Sequence, residues 1–329
     1  MTTAPSTTPG SSRAVVSLAE LLSNHPIPAP SLIEPGLLPA DGILFVGGEP
    51  KVGKSLLVAN LALALAAGGS HAGFLVPAPR RVLICQFELP TPQFAVRLAT
   101  MRKALGNAAD SNLFVDTRPV GHLLSSAAGL NHFLAAARSA KAEVIVLDPL
   151  YSTHDQDEND TRAMAALCQS LLRLRDASRA ALIVVHHVRK SAGRYEIGSA
   201  FRGSSALHAV GDSYLLLARP SPQIATIELR FQFRYAAPQP PRLLSLDSAA
   251  LWFSASGSSP AAPVSRRKVE PPDVQRALQA AGTSAPFNQL RQQIMHRAEC
   301  SKRTADLAIR RALKEGFIVH DNAQYRLPF

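Results

Sequence analysis

The sequence predicts an α/β fold built on a mostly parallel sheet, and three observations carry that expectation. Short, continuously apolar runs recur along the chain: Ile43-Leu44-Phe45-Val46, Val82-Leu83-Ile84-Cys85, Val144-Ile145-Val146-Leu147 and Ala181 to Val185. Helix-length stretches separate them, the pattern of strands buried on both faces by covering helices. The first run leads into Gly48-Glu49-Pro50-Lys51-Val52-Gly53-Lys54-Ser55, which matches G-x-x-x-x-G-K-[ST] at every fixed position. An apolar run before it and an Ala/Leu-rich run after it supply the strand–loop–helix context a phosphate-binding loop requires.

The elements follow in order. Residues 1 to about 12 are Ser/Thr/Pro-rich with no periodicity and are expected to be disordered. Val15 to Leu22 is a candidate short helix, after which Pro26, Pro28, Pro30, Pro35 and Pro39 keep the chain extended. The first strand spans Gly42 to Gly47, and Leu56 to Ala67 is the helix behind the loop. Arg81 to Phe87 is a second strand, Thr91 to Leu105 a helix stopped at Gly106, and Leu113 to Thr117 a short strand. Ala127 to Ala140 is helical, and Val144 to Leu147 is a strand ending in Asp148. Thr161 to Ser178 is an amphipathic helix that Asp160 is placed to cap. Ala181 to Val185 runs into His186-His187, and Tyr214 to Ala218 and Ile224 to Phe233 add two strands.

A Ser/Ala/Pro/Gly stretch closes this region, followed by Arg266-Arg267-Lys268. Beyond it, Asp273 to Ala281, Phe287 to His296 and Lys302 to Glu315 read as short helices. Phe317 to Leu327 reads as a hairpin turning at Asp321-Asn322. Three helices and a hairpin form the winged-helix pattern. The expected organisation is a Pro-rich lead (1–31), a core domain (32–253), a linker (254–268) and a small winged-helix-like domain (269–329).

Composition narrows the class. Hydrophobic residues make up 47% of the 329, enough for an ordinary core and too many for a disordered chain. The net charge of +11 favours a polyanionic partner, nucleic acid before membrane surface. Cys85, Cys168 and Cys300 are far apart, without metal-ligand or C-x-x-C spacing, as expected of unbridged thiols in a reducing compartment. The opening segment has no apolar signal core, and no apolar run is long enough to span a bilayer. The expectation is a cytoplasmic protein with no membrane partner.

The loop sets the chemistry. Its backbone N–H groups and the helix N-terminus favour phosphate. Lys54 is placed to reach the β- and γ-phosphates of a nucleotide and Ser55 to hold Mg²⁺. Asp148, after four apolar residues, stands where a Walker B acid reaches Mg²⁺ through water; the alternative is a turn aspartate before Pro149. Glu88 ends the second strand, at the sheet edge where ligands bind in such folds. It is a candidate general base for water, or a helix N-terminal acid favoured by the macrodipole. His186 and His187, adjacent on a strand, point to opposite faces and are poorly placed to share one metal. One is a candidate γ-phosphate sensor; the alternative is a buried structural pair. Arg202 lies in a polar loop with Arg189, Lys190 and Arg194. It is a candidate arginine finger, a contact for a nucleic-acid backbone, or part of a solvated loop. The acidic run from His154 to Asp160 lacks EF-hand spacing.

Five segments occur together: Gly48 to Ser55, Gln86-Phe87-Glu88, Val144 to Asp148, His186-His187 with Lys190, and Arg202-Gly203-Ser204-Ser205. In this order they resemble RecA-like AAA-family ATPases of the plasmid RepA helicase type, over roughly residues 32 to 250. The resemblance implies a RecA-type core and a ring, often hexameric, with ATP at subunit interfaces and ATP-driven movement on single-stranded DNA. It implies Lys54 and Ser55 for phosphate and Mg²⁺, Glu88 as catalytic base, and Asp148 as Walker B acid. It further implies the His pair as γ-phosphate sensor and Arg202 as a finger acting in trans. The appended tail departs from the compact plasmid helicase.

From Arg266 onward basic residues exceed acidic ones by six, more than half of the whole excess. Lys302, Arg303, Arg310, Arg311 and Lys314 fall on or beside the third tail helix, where a winged helix reads a major groove, and are the candidate DNA contacts. The leading expectation is an ATP-hydrolysing DNA helicase or translocase in replication of a plasmid, phage or mobile element. The alternative is an ATP-gated DNA-binding regulator or loader without unwinding activity. A metabolic P-loop kinase is a weaker third, since no acceptor-pocket motif accompanies the loop.

Overall fold

The computed structural model describes residues 15–23, 29–117, 119, 121–158, 160–188, 197, 201, 205–219, 226–258, 269–298, 300, 302–321 and 324–328. The chain divides into two compact units, Met1–Gly257 and Ser258–Phe329.

The first unit is built on a nine-stranded sheet. In chain order its strands are β1 (Ile43–Gly48), β4 (Val82–Gln86), β5 (Leu113–Thr117), β6 (Val144–Asp148), β7 (Ala181–His187), β8 (Ser213–Ala218), β9 (Thr226–Phe233), β10 (Arg242–Asp247) and β11 (Trp252–Ser258). In space the order is β11-β10-β9-β8-β1-β7-β6-β4-β5. The pairs from β8 to β5 are parallel, while β9 runs antiparallel to β8 and β10 to β9. A small hairpin, β2 (Gly69–His71) and β3 (Phe74–Val76), stands apart from this sheet.

Why these strands sit at the centre follows from their composition. Every residue of β1, β4 and β6 is buried, which only a strand covered on both faces tolerates. A short helix, α1 (Leu18–Ser23), precedes the sheet, one face of which packs on α2 (Lys54–Ala67), α3 (Thr91–Arg102) and the hairpin. The other packs on α4 (Ala127–Ala140), α5 (Thr161–Ser178) and the short α6 (Ser205–Val210). Helix α2 is apolar all round and buried along almost its whole length, so alanine alternates with leucine to let the sheet approach closely. Helix α5 is amphipathic, and Asp160 caps it by accepting from the Arg162 and Ala163 amides at 2.8 and 3.3 Å.

Three features differ from the sequence expectation. The helix after β4 ends at Arg102, not Leu105. Strands β10 and β11 were not expected, and β11 continues through Ser254–Ser258, the start of the segment assigned to a linker. An edge strand needs one backbone partner, so a small polar sequence can hold it once an anchor is in place. Here the anchor is Phe253, 2% exposed, whose amide donates to the Asn60 side-chain oxygen at 2.9 Å; the Asn60 amide in turn donates to the Leu251 carbonyl at 3.0 Å. The hairpin was also missed. Its turn residues Ala72 and Gly73 both have positive φ (50° and 78°), as a type I′ turn requires. Arg242 then pins the turn by donating to the Ala72 carbonyl at 2.9 Å and lying over the Phe74 ring.

His71 of this hairpin is buried against Trp252, ring centroids 4.3 Å apart, and neither ring nitrogen has a partner among the described residues. Burial lowers its pKa from 6.5 to about 4. The imidazole is therefore neutral in the fold but gains a proton on unfolding below 6.5. Its contribution is intact above the unfolded value and is lost as pH falls from 6.5 through about 4. Between about pH 7 and about pH 5 the loss is expected to be about 2 kcal/mol. Urea unfolding at the two pH values checks this: His71→Phe should show a smaller drop than wild type, and an equal drop would contradict it.

The second unit contains α7 (Pro271–Ala280), β12 (Ser284–Ala285), α8 (Phe287–Ala298), α9 (Lys302–Lys314), β13 (Val319–Asp321) and β14 (Gln324–Arg326). Its three strands are ordered β12-β14-β13, and a separate core gathers Val274, Leu278, Leu290, Ile294, Ile309 and Ile318. The sequence missed β12, a two-residue strand too short to show periodicity. Among the described residues no helix of either unit is long and apolar enough to cross a membrane.

Candidate nucleotide site

Parallel strands end at one edge of the sheet, and the topology collects the candidate residues there. Gly48 of β1 pairs with His187 of β7, while Gln86 of β4 pairs with Asp148 of β6. Glu88 follows β4 by two residues. The phosphate loop, His187, Asp148 and Glu88 thus come from four adjacent strands. The strand order reverses around β1, since β4 and β8 lie on opposite sides of it, which is where ligands bind in open α/β sheets.

Glycine shapes the loop. Gly53 caps α2 at φ 110°, a left-handed conformation that L side chains resist. A Cβ on Gly47 would come within 2.4 Å of the Phe201 ring. Gly53 lets the chain turn into α2, so that its first amides lie at the loop, while Gly47 leaves room for the Phe201 ring.

Lys54 is buried, and its ammonium donates to the Gly48 and Glu49 carbonyls at 2.8 and 2.9 Å. Burial lowers its pKa to about 8, against the attraction of Asp148 and Glu88. The Ser55 hydroxyl donates to Asp148 Oδ1 at 3.0 Å. Burial raises Asp148 to about 6; the Ser55 bond opposes this, Glu88 adds to it by repulsion, and Lys54 and Arg97 oppose it. A buried carboxylate and a hydroxyl, side by side, form a donor set suited to a hard divalent cation.

The two histidines diverge. His186 is buried with its ring 6.4 Å from Phe201, whereas His187 is half-buried with its ring 5.5 Å from Tyr151. His186 is pushed down to about 4 by burial first, and then by His187, His154 and Lys54. Burial also lowers His187, with Lys54 adding to the effect and Glu88 opposing it. Both are neutral at neutral pH. The Nδ1 atom of each lacks a partner among the described residues.

Sequence reasoning missed three neighbours. Tyr151 donates its hydroxyl to Glu88 Oε1 at 2.6 Å. Arg97 of α3 lies within the field of Asp148, and Arg219 reaches the Lys51 carbonyl of the loop at 3.4 Å. The only available signal was position: Tyr151 stands three residues after Asp148, and Arg219 directly follows a strand. Arg202, Arg189, Lys190 and Arg194 fall outside the described residues.

In the second unit, α9 is sharply two-faced. Ala305, Ala308, Ile309 and Ala312 are buried, while Arg303, Leu307, Arg310 and Lys314 follow one another at i, i+4, i+7 and i+11 along the exposed side. Lys302 is exposed beside this stripe. Arg311 is also exposed, and its guanidinium donates to Glu315 at 2.7 Å and to Glu270 at 2.9 Å.

The fold and this edge define a P-loop protein with a RecA-like core. A family model described as an AAA domain (AAA_25) matches residues 9–193, more than half of the chain, and the chain belongs to that family. No curated protein matches the sequence. Among solved structures it is similar to an isolated ATPase domain, with a TM-score of 0.50 and 13% identity over 65% of this chain and 84% of that one. It is also similar to a DnaB-like replicative helicase described together with its interactions with primase. There the TM-score is 0.52 and the identity 13%, over 65% of this chain and 57% of that one. At such identities the likeness is one of fold.

Proposed function

We propose that the protein hydrolyses ATP and that the cycle acts on DNA, as a helicase or translocase of the plasmid RepA type. The observation that carries the first half is the convergence of Lys54, Ser55, Asp148, Glu88 and His187 on one edge of the sheet. Loop amides and the α2 N-terminus hold the phosphates, and Lys54 exchanges its two loop carbonyls for phosphate oxygens. Ser55 and Asp148 fit Mg²⁺, which when bound neutralises charge on the phosphates. Glu88 takes a proton from the attacking water. His187 is the better candidate for the γ-phosphate sensor, because it lies in the field of Glu88 and beside Tyr151 while His186 packs on Phe201. Arg202 remains the candidate finger for a neighbouring subunit's nucleotide in a homo-oligomeric ring.

The DNA half rests on charge. The helix order and three-stranded sheet of the second unit support a winged-helix reading, with α9 facing duplex DNA through Lys302, Arg303, Arg310, Arg311 and Lys314. The DnaB-like relative in fold adds a precedent for the helicase reading. The second reading, a loader or regulator without unwinding, is favoured by the concentration of basic charge in the tail. A forked duplex separates the two. A helicase separates the strands only with ATP and Mg²⁺. A loader binds duplex tightly without separating it, and loses that binding on Arg303→Glu with Arg310→Glu. Neither strand separation nor DNA binding at low salt would remove both.

A further inference from the structure

The loop motif, the Walker B acid and the sensor histidine leave Tyr151 without a role, although it touches the candidate base. Tyr151 lies on a 3₁₀ turn, Leu150–Thr153, that follows Asp148-Pro149 directly. Its hydroxyl donates to Glu88 Oε1 at 2.6 Å, within the range of a charge-assisted O–H···O⁻ bond. The other side of its ring rests on His187 at 5.5 Å. The bond to Glu88 is the leading cause that raises the Tyr151 hydroxyl above the ordinary phenol value, so it stays a donor wherever the carboxylate is ionised.

A glutamate beyond a strand end has three free torsions, and a base that must meet one water loses rate to every other rotamer. Tyr151 removes that freedom. We propose that Tyr151 is a positioning residue for Glu88: it holds Oε1 and leaves Oε2 to receive the proton of the attacking water. This rests on Glu88 acting as the base. In the step, the water oxygen bonds to the γ-phosphorus while its proton passes to Oε2. The bond from the γ-phosphorus to the β–γ bridging oxygen breaks, and its electron pair stays on the nucleoside diphosphate. Tyr151 keeps its own proton throughout, so it positions without taking part in the transfer.

Tyr151 is 44% exposed, and phenylalanine keeps the ring on His187 while deleting only the donor. The test is ATP turnover by Tyr151→Phe, alone and combined with Glu88→Gln, in the full chain. The expected result is a kcat about tenfold lower at unchanged KM for ATP. In the Glu88→Gln background the same change should cause no further loss, because the oxygen it positions no longer acts as a base. An unchanged kcat, or an equal loss in both backgrounds, overturns the proposal. If Glu88→Gln itself turns over at the wild-type rate, the base reading fails and takes this one with it. If Glu88→Gln collapses while Tyr151→Phe is neutral, Tyr151 alone is ruled out.

Discussion

Lys54→Ala is expected to lower ATP turnover by at least about a hundredfold, the scale for removing one preorganised charge from a developing phosphate charge. The fold should survive it. Lys54 is a buried cation whose pKa is already pulled down to about 8, so the folded protein bears a desolvation cost for it. Its two bonds are to loop carbonyls, not to core strands. Steady-state turnover and a thermal melt of the same preparation check both parts. Near-normal turnover would show that the loop is not the hydrolysis site, and collapse of the melt would show that Lys54 has a structural role.

Glu88→Gln is expected to reduce kcat by about 10²- to 10⁴-fold while nucleotide binding persists. The electrostatics of the site sharpen this. Glu88 is one of the groups that raise Asp148 towards about 6. Removing its charge relieves that repulsion, so Asp148 ionises more readily and its hold on Mg²⁺ should be equal or stronger. The variant should therefore trap nucleotide without turning it over. Equilibrium binding of ATP at several Mg²⁺ concentrations, beside turnover, checks the pair of effects. Loss of binding together with turnover would place Glu88 in nucleotide affinity and not in the chemical step.

Much of the core was legible because its signals are local. Four apolar runs and one eight-residue motif placed β1, β4, β6, β7 and the loop, since a strand buried on both faces must be continuously apolar. The edge of the sheet was less legible. Strands β10 and β11 are half-polar, and what holds β11 is a contact between Asn60 and Phe253, nearly two hundred positions apart in sequence. The hairpin at Gly69–Val76 depends on positive φ at Ala72, which alanine does not advertise. The candidate site divides in the same way. Lys54, Ser55 and Asp148 are marked by motif and strand ending. Tyr151 is not, because its relation to Glu88 arises only when β6 and β4 pair. Charge counting placed a basic helix in the tail, but it could not see that Arg311 donates to Glu270 and Glu315.

One measurement bears most directly on the central claim: steady-state ATP hydrolysis by the full chain with Mg²⁺, with and without single-stranded DNA at low salt. The expected result is turnover that chelation of Mg²⁺ abolishes and single-stranded DNA accelerates. Absence of turnover under every condition would contradict the hydrolysis site, and turnover indifferent to any nucleic acid would contradict its coupling to DNA.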